Sequence, residues 1–181
     1  MMMQVFRRIL VPYDFSTAAT AALEVAADLA ALHRGTLTVV HAIAPVYPAS
    51  TFAGAGEMPV WVPPDDLRAD ARKRLDAEVA RVVGKRVANV TCRVVIGDPH
   101  HCILQAARTA DSIVMATLGR TGLAHLVIGS VAEKIVRHSP VPVLTLRPSA
   151  IRSALRRRGA STKTRRSAGA GGRRTVRRRV R

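Results

Sequence analysis

The triplet Ile9-Leu10-Val11 has no polar side chain at any of its three positions. A strand points successive side chains to opposite faces, so a run that is apolar throughout is buried on both sides. Such strands belong to parallel sheets with helices on each face, and the rest of the chain follows that plan. Thr36–Ile43, Val90–Ile96, Ser112–Ala116 and residues 141–146 read as four further strands. Helical spacing fills the intervals. Ser16 caps a helix over Thr17–His33 whose Leu23, Ala26, Ala27 and Ala30 share one face, and Gly35 stops it. Asp65–Val83 places Leu67, Ala71, Leu75, Val79 and Val82 on one stripe. Asp98 then caps a helix that carries Pro99 at its first position. A last helix over 131–138 opens with Ser130 and Glu133 at capping-box spacing. Alternation of this kind predicts an α/β fold with a single open five-stranded parallel sheet and helices on both faces.

Two stretches break the pattern. Residues 44–64 hold five prolines and two glycines and read as a long loop, of a length that is usually functional or mobile. Beyond residue 147 the apolar periodicity stops. Thirteen of the 29 Lys and Arg residues fall in 148–181, where there is no Asp or Glu and no aromatic. The net charge of +17 is therefore mostly a property of this tail, and residues 1–147 are near ordinary. The division is a domain over 1–147 and a basic, low-complexity, disordered tail over 148–181. The two cysteines, Cys92 and Cys102, cannot make a disulfide framework. No signal peptide is evident, and the most apolar helix is interrupted by Glu24 and Asp28, so no membrane span is expected and a cytoplasmic location follows by default.

Several chemistries are excluded by motif. The chain has no G-x-x-x-x-G-K-[ST], and its first strand runs into Pro12-Tyr13-Asp14 rather than G-x-G-x-x-G. His100-His101-Cys102 invites a metal reading, but neighbouring helical residues point apart and no partner cluster is evident. Neither paired carboxylates nor a nucleophile–base pair emerges, so no enzyme is expected. What remains is Gly119, nine residues, then Gly129-Ser130 at the start of a helix. Phosphates need backbone N–H groups with room to approach, which glycines and a helix N-terminus supply.

That segment, from Val114 to Leu123 and on through Gly129-Ser130-Val131, resembles the universal stress protein family, whose ATP-binding members carry G-x2-G-x9-G-[ST]. The Pro140-Val141-Pro142-Val143-Leu144 run, the opening strand through Asp14-Phe15-Ser16 and the Gly97-Asp98-Pro99 turn are similar to it as well. The resemblance covers about residues 6–147 and leaves out the tail. It implies a Rossmann-like fold of the adenine-nucleotide alpha-hydrolase type and a stress-response module that binds ATP, with or without Mg2+. It implies that Asp14 contacts adenosine, that Pro12 lines the pocket and that the backbone near Ala42 and Met115 reads the base. Gly119, Gly129, Ser130 and Val131 would then hold the phosphates, and Arg120 would add charge. Ala116 stands where the family has the first glycine, and Leu118 where it is often polar. The resemblance also implies a homodimer through residues 140–146, an apolar edge strand of the kind that invites pairing.

Other readings stand beside these. Asp14 serves equally as a helix-initiating residue, and the glycines as a tight loop in a scaffold without nucleotide. In that second reading the Arg-rich tail binds nucleic acid or another polyanion through phosphates, without reading sequence.

Overall fold

The structure, a computed structural model, describes residues 6–45, 65–117 and 129–147. All of them lie within a compact unit that ends at Pro148. Among the described residues five strands and four helices alternate: β1 (Arg8–Pro12), α1 (Thr17–His33), β2 (Thr36–Ile43), α2 (Asp65–Val83), β3 (Val90–Ile96), α3 (Pro99–Ala107), β4 (Ser112–Ala116), α4 (Ser130–His138) and β5 (Val143–Leu146). Every strand pair is parallel, and the sheet order is β3-β2-β1-β4-β5.

The two faces of the sheet bury separate cores. Ile9 and Val11 of β1 join Leu37, Val39, Val94 and Val114 under α1 and α2. Leu10 points the other way, with Val40, Ile113 and Met115, against Ile103 of α3 and Ile135 of α4. Ile9, Leu10 and Val11 are all within 1% of full burial, as expected for a central strand. The small alanines of α1, Ala22, Ala26, Ala27 and Ala30, are completely buried and let that helix lie close to the sheet.

Several local expectations are corrected. Residues 141 and 142 are not part of β5. Pro142 accepts a hydrogen bond from the Ile113 N–H but has no N–H of its own to continue the ladder. Leu67 is 42% exposed rather than part of the buried stripe, because α2 first meets the core at Ala71, which is partly buried, and buries fully at Leu75. Helix α1 ends on Arg34, which takes the left-handed conformation at φ 50°. Gly35 answers a different need: a Cβ there would lie 2.6 Å from the Phe6 carbonyl oxygen and 2.7 Å from that of Arg7. Ser130 and Glu133 make no capping box. Gly129 is the N-cap, with no side-chain cap, so Ser130 is already helical and Glu133 pairs with Arg137 at 3.2 Å.

Candidate functional site

The strand order reverses between β1 and β4, since the chain builds β1, β2 and β3 in one direction and β4 and β5 in the other. Ligands of open parallel sheets sit beyond the carboxyl ends of the strands at such a point. A cavity of about 540 Å³ lies there. Pro12, Tyr13 and Asp14 line it from the end of β1, and Val40 to Ala44 from β2. Met115, Ala116 and Thr117 line it from β4, Pro99 and Ile103 from α3, and Gly129 to Ala132 from the start of α4. The cavity thus gathers Pro12, Asp14, Ala42, Met115, Ala116, Gly129, Ser130 and Val131, which come from four separated stretches of sequence. Gly119 and Arg120 lie outside the described residues, as does Leu118.

The α4 end of the cavity is a set of amide donors. The first intrahelical bond runs from the Glu133 N–H to the Gly129 carbonyl. The N–H groups of Ser130, Val131 and Ala132 therefore have no partner within the helix, and they stand at its positive dipole end. The Gly129 N–H is different. It donates to the Thr117 carbonyl at 2.6 Å, so it is not a donor for a ligand. Its glycine is needed for closeness, since a Cβ would come within 3.0 Å of that same oxygen. Thr117 is buried, and both its N–H and its hydroxyl donate to the Leu146 carbonyl, at 3.0 and 3.2 Å. It ties β4, β5 and α4 into one unit. Its role was hidden in the sequence because it follows the apolar strand as an ordinary polar residue.

Ala116 is a β4 residue paired in register with Leu146. Among the described residues, left-handed backbone at a non-glycine occurs only at Phe15 and Arg34. Ala116 therefore carries no backbone strain in place of the family's glycine.

The β1 end is a strained turn. Phe15 stands at φ 64°, a conformation that costs an L-residue roughly 1–2 kcal/mol. The Asp14 carboxylate accepts the Ser16 N–H at 3.0 Å, and the Ser16 hydroxyl accepts the Ala19 N–H at 3.0 Å to start α1. Asp14 thus shapes the turn from the cavity wall. The Tyr13 hydroxyl is hydrogen-bonded to Thr20 at 2.9 Å, while burial raises its pKa above the ordinary phenol value, an effect that the Thr20 bond opposes. His41 of β2 reaches the Tyr13 carbonyl with Nδ1 at 2.7 Å and lines the cavity.

Other sequence candidates lie away from this site or do not converge. His100 packs against His138 with ring centroids 5.5 Å apart, and His101 meets Gln105. Among the described residues no three His, Cys, Asp or Glu side chains gather as a metal site would require. Cys92 lies buried in β3, and burial pushes its thiol up to about 12, with Asp76 adding to the effect.

An open parallel sheet with a mostly apolar cavity at its switch point, and a helix N-terminus facing in, defines an open-sheet α/β protein with a candidate ligand site. The family model described as universal stress protein family matches residues 6–147, and the chain belongs to that family. A universal stress protein from Thermus aquaticus, named for the QAH/OAS sulfhydrylase 3′ region, is 35% identical over 144 residues, covering 78% of this chain and 99% of that protein. A solved universal stress protein in complex with cAMP superposes with a TM-score of 0.57 at 21% identity, over 78% of this chain and 96% of that one. The universal stress protein from Archaeoglobus fulgidus in complex with dAMP superposes with a TM-score of 0.54 at 22% identity, over 78% and 98%.

Proposed function

We propose that the cavity binds an adenine nucleotide, with ATP as the ligand, and that occupancy serves regulation in the stress response rather than turnover. The observation that carries this reading is the juxtaposition of two chemistries in one cavity. Val40, Ala42, Met115 and Ile103 offer apolar wall for a base, and the first turn of α4 offers N–H donors that have no partner within the helix for phosphate. The cavity volume lies within the range usual for small-molecule sites, roughly 300–1,000 Å³. Two solved proteins of this fold hold adenine nucleotides, and family membership supports the same class of ligand here. Asp14 stands beside Pro12 at the β1 end, where a ribose would lie. On this reading the Ser130 hydroxyl, from the cavity lining, meets a phosphate or the Mg2+ that a triphosphate brings, an ion that needs only one or two protein oxygens. Gly119 and Arg120 belong to this proposal on resemblance alone.

The test is calorimetry on the full chain with ATP, AMP, adenosine and tripolyphosphate in parallel. Binding of ATP and AMP, weaker binding of adenosine, and loss of all three with Ala42→Trp support the reading. Equal heats from ATP and tripolyphosphate, with none from adenosine, refute it and assign the binding to the basic tail.

A second reading has its own observation: 13 basic residues and no acidic ones in 148–181, without aromatics for base stacking. It gives the tail a nucleic-acid phosphate backbone as partner, bound without sequence preference. Pairing of two copies at β5 is compatible with both readings. β5 is an edge strand, and its Leu144 is 37% exposed.

A further inference from the structure

The turn that carries Asp14 is held in a conformation that its own residues disfavour, and a cavity side chain holds it there. Phe15, the residue after Asp14, is a bulky aromatic at φ 64°. Such a backbone persists only where the surroundings over-determine it. Its ring is clamped from three sides. The Tyr13 ring lies at 5.3 Å and the His41 ring at 4.7 Å, both edge-on, and the Arg74 guanidinium lies 4.2 Å from the ring centre. Tyr13, the residue before Asp14, is tied to the same histidine by a hydrogen bond of 2.7 Å from His41 Nδ1 to its carbonyl. A carbonyl only accepts, so Nδ1 carries the hydrogen and the ring orientation is fixed.

Both neighbours of Asp14 are therefore fastened to one imidazole, by a hydrogen bond on one side and a ring contact on the other. Asp14 itself holds the Ser16 N–H. We infer that His41 is a positioning residue: it braces the β1–α1 turn so that the Asp14 carboxylate is presented to the nucleotide. This role rests on the nucleotide reading above. The brace itself does not, because every contact in it is within the protein. Two chemically separate functions of the imidazole, donor and ring, converge on one turn, and two substitutions separate them. His41→Asn keeps an N–H donor close to the position of Nδ1 and removes the ring. His41→Phe keeps a ring and removes the donor.

The experiment measures amide exchange at Ser16 in the full chain without nucleotide, and ATP affinity by calorimetry. Each variant is studied alone and combined with Asp14→Ala, with melting curves confirming that it is folded. The Ser16 N–H reports the Asp14 carboxylate directly, since that carboxylate is its acceptor. With His41→Phe, Ser16 exchange should rise and ATP affinity should fall, each by about tenfold, the scale of one net hydrogen bond. With His41→Asn both should stay within about threefold of the parent, the donor being retained. In the Asp14→Ala background, His41→Phe should weaken ATP by less than about twofold, because residues that act through one another are not additive.

Unchanged Ser16 exchange in His41→Phe overturns the brace, whether or not nucleotide binds. An undiminished loss of affinity in the Asp14→Ala background overturns positioning and makes His41 a direct ligand contact. Absence of ATP binding by the parent chain refutes the nucleotide reading alone, and the exchange measurement still decides the brace.

Discussion

Gly35→Ala separates two reasons for a glycine after a helix. If Gly35 were present only as a stop signal, alanine would be cheap there, because Arg34 already supplies the left-handed residue. The structure gives a steric reason instead. The new methyl group would lie 2.6 and 2.7 Å from the carbonyl oxygens of Phe6 and Arg7. Both are backbone atoms, so no side chain can rotate away to relieve the contact. Carbon and oxygen pack comfortably near 3.4 Å, so the Phe6–Arg7 strand entry must retreat by about 0.7 Å. Overpacking of this kind costs about 1–3 kcal/mol. The same retreat stretches the 2.7 Å bond from the Thr36 N–H to the Arg7 carbonyl. That bond has a net value of about 0.5–1.5 kcal/mol, toward the low end here because Arg7 is exposed and water can replace it. Alanine returns about 0.4–1 kcal/mol by restricting the unfolded chain.

The expected outcome is a loss of about 2 kcal/mol, or about 5–8 °C in melting temperature for a domain of this size. Urea unfolding followed by circular dichroism measures it. Arg34→Gly is the control, since it relieves a left-handed arginine while loosening the unfolded state, and should change stability by less than about 1 kcal/mol. A Gly35→Ala protein as stable as the parent would refute the steric account, and so would one less destabilised than Arg34→Gly.

The remaining predictions concern single groups. Leu75→Ala, at a fully buried position of α2, should cost about 2–5 kcal/mol by denaturant unfolding, and Leu67→Ala less than about 0.5 kcal/mol. Ala116→Gly should lower stability by about 0.5–1 kcal/mol in the same assay, because glycine weakens a paired strand. Cys92 should resist alkylation at pH 8 in the folded chain, with its thiol raised to about 12, and react only on unfolding; mass spectrometry of iodoacetamide-treated protein reads this. The Arg8 guanidinium, 2.6 Å away, and the Arg8 N–H hold the Asp111 carboxyl below its ordinary pKa, an effect that burial opposes. A carboxyl lowered in the folded state adds stability above its unfolded pKa of about 3.9, and that stability is lost as pH falls through the folded value. Asp111→Asn should therefore be destabilising at pH 7 and level with the parent in acid. The gap should be small and should shrink with salt, since the Arg8 side chain is 61% exposed.

Which parts of this molecule were legible beforehand follows from the range of the forces involved. Ser16 and Asp98-Pro99 mark helix starts through bonds that span three residues, and both side chains accept the amides that local rules assign to them. Val90–Ile96 was legible as a strand but not as an edge. Its buried Cys92 and Val94 alternate with exposed Thr91 and Arg93, and only the pairing order reveals that it is an edge strand among the described residues. The start of α4 was misplaced by one residue for the same reason. Ser130 and Glu133 have the spacing of a capping box, but the Thr117 carbonyl, twelve residues upstream, captures the Gly129 N–H and makes the glycine the cap. A tertiary bond of 2.6 Å outweighed a local side-chain preference, and no local rule contains it.

The turn at Asp14 shows the same division in the site. The carboxylate was legible as a residue before a helix, and its bond to Ser16 is that local role. What aims it is not local. Phe15 is held by Arg74 from α2 and by His41 from β2, residues 59 and 26 positions away in sequence. A left-handed phenylalanine contradicts every propensity that a sequence displays, so it is visible only where the packing that enforces it is visible. Local conflict of this kind is stored at positions where geometry matters more than stability. Phe15→Gly tests the point. Glycine removes the backbone strain but also the ring that His41 and Arg74 grip. If Phe15 is there for stability, the variant should melt well below the parent temperature, through loss of the ring's packing, with ATP affinity unchanged. If the turn exists to aim Asp14, affinity should fall while stability changes by less than about 1 kcal/mol, since relief of strain and loss of packing oppose each other.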